Sequence, residues 1–377
     1  AHLQWIGELQ VDELSRRAGL DRLEVRRQNL CTPGEELRTG GKPLDADLVG
    51  DVERVAEAIG WNGERRPGTG RGVSVGLLAA GAHPVSNAIV RMEADGNAVV
   101  LVGTTEVGQG ARTVFAQIAA DELRLPPDRV TVRGADTSFT PYDRSTGASR
   151  STTVAGLAVK RAAEQVRAQL VEIAGVPDVE SDAYPELFVR HFGLAGGELI
   201  GRGEVAPEGS GSYAEGPVFW EVCVGAAEVA VDEETGRVRV LKTATVADVG
   251  RAINPQLVER QDEGGTLQGL GNALYEELVY EDGLLLNETL LDYRVPAFED
   301  VPDEMNCIIV ENEDGPGPYG AKGCGEGALA AVTAAVATAV ADAGVPVTEL
   351  PLTPERVWRR IQELKKEGSW PRYDVQQ

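Results

Sequence analysis

Hydrophobic and polar positions along the 377-residue chain follow both strand-like and helix-like patterns. Apolar runs and alternations around DG, NG or TG turns predict β-hairpins in NAIVRMEADGNAVVLVG and VFWEVCVGAAEVAVDEETGRVRVLKTATVADVG. Apolar residues three or four apart predict a helix in TVFAQIAADELRL. Further helices are predicted at 148–174, 255–278 and 328–343, and in the closing segment TPERVWRRIQEL. Because strands and helices recur in this order, the chain is predicted to be of the mixed α+β class.

One pattern occurs twice, about 150 residues apart. An apolar strand, a glycine turn and a helix with Gln near its start follow one another in VVLVGTTEVGQGARTVFAQIAADEL and in VADVGRAINPQLVERQDEGGTLQGLGNALYEEL. We therefore expect mixed sheets and helices in two related halves. The predicted domains are a helical lead-in and linker at 1–72, a first half at 73–215, and a second half at 216–377 that ends in a helix.

The lead-in is predicted to begin with two short helices around Gly19, with Asp21 capping the second. The basic, glycine-rich segment NGERRPGTGRG at its end is interpreted as a linker. Strands are expected to begin at Val73.

Composition narrows the possible functions. The net charge of −24 makes nucleic acid an improbable partner, because an acidic surface repels a phosphate backbone. The four cysteines form no CxxC pair and the three histidines lie far apart, which argues against a disulfide framework, a zinc ribbon or an iron–sulfur cluster held by this chain. No apolar run is long enough to span a membrane. The first residues lack the features of a signal peptide, so a cytoplasmic location is expected.

Three glycine-rich turns are expected to open helices, and they are candidate ligand-binding elements. Glycine lets a ligand approach the backbone closely, and free N–H groups at a helix start favour anions. None of the turns fits a Walker or a Rossmann pattern, and tight helix packing is the alternative for any one of them. Together they favour a large polar ligand that carries phosphates. They are Gly108-Gln109-Gly110, the segment 264–271, and the segment 320–327.

Two further features belong with these turns. The run Thr146-Gly147-Ala148-Ser149-Arg150-Ser151-Thr152 offers more polar side chains than a helix cap needs, although capping is its simplest interpretation. Glu326 lies between Gly325 and Gly327 ahead of an apolar helix. Its carboxylate is either a helix cap or a general base, and we expect burial to raise its pKa.

Four segments in order resemble the molybdopterin-binding subunit of the xanthine dehydrogenase / aldehyde oxidase family of molybdenum hydroxylases. The resemblance runs from about Val73 to Pro354, and the lead-in resembles the family's connecting helices. It corresponds to the C-terminal half of the family's full subunit. The segments are EVGQGARTVFAQIAADEL, DTSFTPYDRSTGASRSTTVAGLAV, DVGRAINPQLVERQDEGGTLQGLGNALYEE and GAKGCGEGALAAVTAAVATAVADA.

The resemblance implies roles for individual residues. Glu326 matches the catalytic glutamate, and no side chain is expected to ligate the metal, because a pterin dithiolene holds the molybdenum. Cys324 is interpreted as a packing residue rather than a ligand. The implied cofactor contacts are Gly108, Gln109 and Gly110 near the metal, Ala148, Ser149, Arg150, Ser151 and Thr152 along the pterin and its phosphates, and Gln261, Lys322, Gly323 and Gly325.

The resemblance also implies partners, because nothing here matches the N-terminal half of the family's subunit. The chain resembles the medium molybdopterin subunit of nicotinate-dehydrogenase-like enzymes. A second molybdopterin subunit, an iron–sulfur subunit and an FAD subunit are therefore expected, with molybdopterin in a dinucleotide form. The implied reaction is hydroxylation of an electron-poor carbon of an N-heteroaromatic, nicotinate-like substrate by water. A purine or aldehyde substrate, or a non-catalytic protein that holds molybdopterin, are the alternatives.

Overall fold

The computed structural model describes residues 2–37, 41–81, 85–144, 146–194, 196–206 and 217–370. The chain begins with helices α1 (His2–Ala18), α2 (Arg22–Asn29) and α3 (Leu48–Ala58). The carboxylate of Asp21 accepts hydrogen bonds from the N–H groups of Leu23 and Glu24 at the start of α2. The predicted cap and the pair of lead-in helices are therefore confirmed, although α1 is longer than the predicted short helix because it begins at His2.

The elements of the first half form an antiparallel hairpin, a parallel edge strand and a second edge strand, covered by helices. The strand order is β5-β4-β3-β6, in which only β4 and β5 run parallel. The elements of this half are β3 (Ser86–Glu93), β4 (Ala98–Val102), α4 (Ala111–Leu123), β5 (Val130–Gly134), α5 (Gly156–Ala174), α6 (Tyr184–Phe192) and β6 (Glu198–Val205). Two strands that precede them in the chain, β1 (Thr69–Ser74) and β2 (Leu77–Ala80), pair with strands of the second half, β1 with β8 and β2 with β7.

The second half repeats this arrangement. Its sheet has the order β1-β8-β9-β12, and only β9 and β12 run parallel. The remaining elements are β7 (Phe219–Val222), β8 (Val224–Val231), β9 (Val238–Asp248), α7 (Pro255–Leu274), β10 (Tyr280–Glu281), β11 (Leu284–Leu285), β12 (Glu304–Val310), α8 (Gly327–Asp342) and α9 (Pro354–Glu367).

The two sheets share one connectivity. In each half, a hairpin leads to a helix, a strand parallel to the second hairpin strand, and a second helix that packs on the sheet. The fourth strand differs in origin, because β6 follows its helix whereas β1 precedes the whole second half. The prediction of mixed sheets and helices in two related halves is confirmed.

Strand β1 departs from the expected linker. Its six residues are buried, and they pair with β8 at the edge of the second sheet. The guanidinium of Arg71 is buried and forms an ion pair with Glu228 at 3.3 Å. The segment 69–72 is thus part of the core and not a linker, while the domain boundaries at 72/73 and 215/216 remain predictions.

Both fourth strands contain the same Gly-Arg-Gly sequence, and their glycines touch helix backbone. A Cβ added at Gly203 would lie 1.8 Å from the carbonyl oxygen of Ala158 in α5, and one added at Gly72 would lie 2.1 Å from that of Ala335 in α8. Only glycine lets a strand and a helix approach this closely. The repeated glycines therefore fix the spacing between helix and sheet in both halves.

The core is divided among the layers. One cluster lies between the first sheet and helices α4 and α5, and another lies between the second sheet and helices α7 and α8. Helix α3 covers the opposite face of the second sheet. The lead-in helices are held by buried ion pairs, in which Arg22 bridges Asp12 and Asp342 at 2.8 Å each. Among the described residues, no helix combines the length and apolar character needed to cross a membrane.

Candidate functional site

The predicted motifs meet where the two halves join. The hydroxyl of Thr146 donates to the carbonyl oxygen of Thr105 at 2.7 Å, which ties the hydroxyl-rich loop to the first glycine turn. The hydroxyl of Ser149 accepts the N–H of Gly325 at 3.1 Å, which ties the same loop to the turn before α8. A Cβ at Gly110 would lie 2.8 Å from the side chain of Leu257 in α7. The four segments are therefore neighbours in space.

The first turn is organised by a carboxylate that the sequence did not single out. Glu106 accepts hydrogen bonds from the N–H groups of Gly108 and Gly110, both at 3.0 Å, and of Arg112 at 3.1 Å. Although partial burial opposes its ionisation, these N–H groups hold the pKa of Glu106 below its ordinary value. The amide of Gln109 bonds to the backbone of its own turn. We expected the free N–H groups at this helix start to bind an anionic ligand. They instead donate hydrogen bonds to the carboxylate of Glu106.

The hydroxyl-rich loop has an unusual backbone. Ala148 and Ser149 both have a φ of +52°, in the left-handed region that non-glycine residues rarely adopt. A Cβ at Gly323 would lie 1.8 Å from the carbonyl oxygen of Ser149, so the two turns interlock backbone against backbone. Strained residues of this kind persist where the surrounding structure holds them, and they cluster at functional sites.

The two basic residues predicted to contact the cofactor are held inside the protein. Arg150 is 1% exposed and pairs with Asp143 at 2.8 Å, and it also donates to Ser86 at 2.9 Å. Lys322 is 2% exposed, and its ammonium lies 2.8 Å from Asp314 and 3.2 Å from Asp248.

The charge of Lys322 is therefore secured by protein groups. Although burial opposes the charged form, these aspartates keep the pKa of Lys322 above its ordinary value. In the described structure, both side chains stabilise the loops that carry them.

The remaining predicted residues lie near the junction. Ser151 and Thr152 are half-buried in a π-helical turn, Ser151–Ala155, that leads into α5. Gln261 is half-buried on α7, one helical turn beyond Leu257, so both occupy the same side of the helix.

The second predicted glycine turn is not a turn. The segment 264–271 lies wholly within α7. Gly265 and Gly269 face α8, where a Cβ at Gly269 would lie 2.9 Å from both the carbonyl oxygen of Leu329 and the Cβ of Val332. The expectation that it opens a helix is wrong, because these glycines serve the close packing of two helices.

Glu326 occupies the N-cap position of α8, but its side chain does not cap the helix. Its carboxylate is exposed and accepts a hydrogen bond from the Ser149 hydroxyl at 3.3 Å. The expectation of a buried carboxylate is therefore wrong for the described chain, because Glu326 lies at the surface end of the glycine turn. The capping interpretation is also excluded, which leaves this carboxylate available for chemistry.

Glu221 in β7 caps α8 instead. Its Oε1 accepts the N–H groups of Glu326 at 2.8 Å and of Gly327 at 2.9 Å. Burial raises the pKa of Glu221 to about 7, against the opposing effects of the Ser149 hydroxyl and of these two N–H groups. Sequence reasoning missed this residue, and the only signal was an acidic residue inside the apolar strand FWEV.

The junction offers polar groups and space rather than metal ligands. Within the described residues, no group of three or more His, Cys, Asp or Glu side chains is arranged to hold a metal ion. Burial raises the pKa of the Cys324 thiol, which disfavours the thiolate that a metal would need. A Cβ at Gly108 or Gly147 would meet no atom within 4 Å. This surface fits a polar ligand that brings its own metal.

Comparison with known proteins places the chain in a family. The model of the molybdopterin cofactor-binding domain matches residues 49–302, which is more than half of the chain. The gamma subunit of the 6-hydroxypseudooxynicotine dehydrogenase complex of Paenarthrobacter nicotinovorans is 31% identical over 92% of this chain and 49% of its own length. The putative xanthine dehydrogenase molybdenum-binding subunit of Escherichia coli K12 is 30% identical over 94% of this chain and 51% of its own length.

A solved structure shows the same fold. Quinoline 2-oxidoreductase from Pseudomonas putida 86 superposes with a TM-score of 0.84 at 29% identity, covering 96% of this chain and 52% of that one. The chain therefore spans about half the length of these relatives. Because the family model matches most of the region that builds the junction, the chain belongs to the molybdopterin cofactor-binding domain family.

Proposed function

We propose that this chain is the base-bearing part of a molybdenum hydroxylase that uses water to hydroxylate an electron-poor carbon of an N-heteroaromatic substrate. The observation that carries the proposal is Glu326, an exposed carboxylate released from helix capping at the point where the hydroxyl-rich loop and the glycine turns meet. A carboxylate placed in this way is suited to accept a proton.

The hydroxyl-rich loop and the first glycine turn would hold molybdopterin in a dinucleotide form. The hydroxyls of Ser151 and Thr152 supply donors for phosphate or pterin oxygens, whereas Ser149 donates its single O–H to Glu326, and Gly108 leaves room for close approach. When bound, this cofactor supplies the redox centre that takes up two electrons per turnover. Glu326 accepts a proton from the water whose oxygen enters the product, and Ser149 orients its carboxylate.

Relatives support the substrate class. Proteins named for 6-hydroxypseudooxynicotine and for quinoline are 31% and 29% identical to this chain. A purine is the second candidate, because a relative named for xanthine is 30% identical.

The surface supports partner chains. Segment 278–298, here called the apolar segment, has several large hydrophobic side chains in solvent, and such patches mark interaction sites. We propose that it docks against a second molybdopterin subunit, and that iron–sulfur and FAD subunits carry the electrons away. Its exposed residues are Leu278, Val279, Tyr280, Leu284, Leu286, Leu290, Leu291, Val295 and Phe298.

The assembled complex tests the function. We expect a tagged chain purified from its natural host to carry molybdenum by elemental analysis and to release a cytosine or guanine nucleotide on acid treatment. The complex should reduce a dye faster with nicotinate than with hypoxanthine or benzaldehyde. A complex without molybdenum would contradict the proposal, and one with molybdenum but no turnover of any of these classes would indicate a non-catalytic holding protein.

The double variant Leu290→Glu/Leu291→Glu should lose the co-purifying second molybdopterin subunit. These side chains are 81% and 91% exposed, so the substitutions spare the fold but place two charges in the proposed interface. Gel electrophoresis and light scattering of the tagged complex would show the loss, with circular dichroism unchanged. Leu194→Glu, at a position that is 94% exposed in the first half, is the matched control and should keep every partner. Full retention of partners by the double variant would refute the docking role.

A further inference from the structure

Two carboxylates, those of Glu326 and Glu221, lie at the start of α8. Glu326 occupies the N-cap position, but Glu221 accepts the hydrogen bonds that an N-cap side chain usually accepts. At an ordinary N-cap, the residue's own side chain accepts the first free N–H groups of the helix. Glu326 holds this position but makes no such bond. Glu221 reaches across from β7 and accepts the N–H groups of Glu326 and Gly327.

This arrangement is costly, which argues for a role beyond capping. Glu221 is 2% exposed, and its second oxygen, Oε2, accepts no hydrogen bond of ordinary geometry in the described part of the chain, because the nearby Ser149 hydroxyl donates to Glu326 instead. An unpartnered carboxylate oxygen in a protein interior is unfavourable. A Ser, Thr or Asn at the N-cap would satisfy the helix without burying a carboxylate.

The contacts around Glu221 hold the main chain and the side chain of Glu326 in place. Glu221 is bonded to the main chain of Glu326, while Ser149 is bonded both to the Gly325 N–H and to the Glu326 carboxylate. A Cβ at Gly327 would lie 2.4 Å from the carbonyl oxygen of Val222, so β7 and the helix start are packed without slack. Glu326 is thus held by its backbone from one side and by its side chain from the other.

We propose that Glu221 is a positioning residue, which takes over the capping of α8 and anchors the main chain of Glu326 so that the Glu326 carboxylate remains available to accept a proton. The proposal rests on the proposed function, because it assigns Glu326 a proton to accept. Without Glu221, the Glu326 side chain competes for the free N–H groups of its own helix and turns away from the substrate.

Variants at Glu221 in the assembled complex test the proposal. Glu221→Ala should lower kcat by about 10- to 100-fold with KM and molybdenum content unchanged, since a small misplacement of a catalytic group has effects of this size. Glu221→Gln keeps a carbonyl oxygen for the two N–H groups and should restore most of kcat. Hydrogen exchange of the peptide that contains residues 326 and 327 should be faster in the alanine variant and unchanged in the glutamine variant.

A cap at a distant helix is the matched control. Thr353 caps α9 by accepting the N–H of Arg356 at 3.4 Å, so Thr353→Ala removes a cap without touching the junction and should leave kcat unchanged. The positioning role is overturned if Glu221→Ala raises exchange at 326–327 yet keeps wild-type kcat, or if Glu221→Gln fails to restore kcat while keeping slow exchange. A wild-type complex that contains molybdenum but has no turnover would instead overturn the proposed function.

Discussion

Replacing Glu326 by glutamine should lower kcat of the assembled complex by about 10²- to 10⁴-fold, the usual contribution of a general base. The amide has the shape of the carboxylate but cannot accept a proton. Because Glu221 and not Glu326 caps α8, the substitution removes no hydrogen bond at the helix start. Molybdenum content, substrate KM and thermal stability should therefore stay near their wild-type values. Steady-state dye reduction, with elemental analysis of the same sample, measures the effect.

Glu234→Gln is the control for this substitution. Glu234 is an exposed glutamate in the turn between β8 and β9, and it lies outside the junction. The Glu234→Gln complex should keep the wild-type kcat. A loss of kcat confined to Glu326→Gln would therefore reflect the lost base and not the lost charge. A Glu326→Gln complex with a rate within a few-fold of wild type would remove Glu326 from the proposed mechanism.

Hydropathy patterns predicted the elements whose burial depends on side chains. The hairpins β3–β4 and β8–β9 combine apolar runs with stretches that alternate apolar and polar residues, and α8 is almost wholly apolar. The hydropathy pattern did not predict strand β1, because its sequence, TGRGVS, has glycines and an arginine where a buried strand usually has branched apolar residues. Its burial comes from contact between backbones, which hydropathy does not register.

The candidate site shows a similar division. Sequence motifs located the turns that meet at the junction, because clusters of glycine and hydroxyl residues can be recognised from residue type alone. The motifs did not reveal which charged side chains form buried ion pairs within the chain. Arg150 and Lys322 were predicted as cofactor contacts. Arg150 instead pairs with Asp143, seven residues earlier in the same loop, and Lys322 pairs with Asp248 at the end of β9, and residue type alone reveals neither pairing. The exchange of roles between Glu221 and Glu326 was hidden for the same reason, because the two are 105 positions apart.

The repeated Gly-Arg-Gly strands explain how one junction can be built from two halves. In each half, the helix that follows the parallel strand, α5 or α8, packs on the fourth strand through glycines, which sets the distance of that helix from its sheet. Helix α5 follows the hydroxyl-rich loop, and α8 follows the turn with Glu326. The same kind of packing therefore holds both helices that follow the loops with Ser149 and Glu326, whose side chains lie at hydrogen-bond distance.

Gly203→Ala should lower the free energy of unfolding by about 3 kcal/mol or more, at the upper end for overpacked cores. The new Cβ would lie 1.8 Å from the carbonyl oxygen of Ala158 and 2.8 Å from the N atom of Ala162. Both contacts are with the backbone of α5, so no side chain can rotate away, and the helix must lift from the sheet. Urea unfolding followed by circular dichroism measures the change.

Gly264→Ala should have the opposite effect on the free energy of unfolding and serves as the control for Gly203→Ala. Gly264 is an exposed position inside α7, and a Cβ there would meet nothing within 4 Å. Alanine should therefore raise stability by about 0.5–1 kcal/mol, because glycine loses more backbone freedom than alanine when a helix forms. A Gly203→Ala protein as stable as wild type would mean that α5 can move away from β6 at little cost. In that case, the glycines of β6 would not fix the distance of α5 from its sheet.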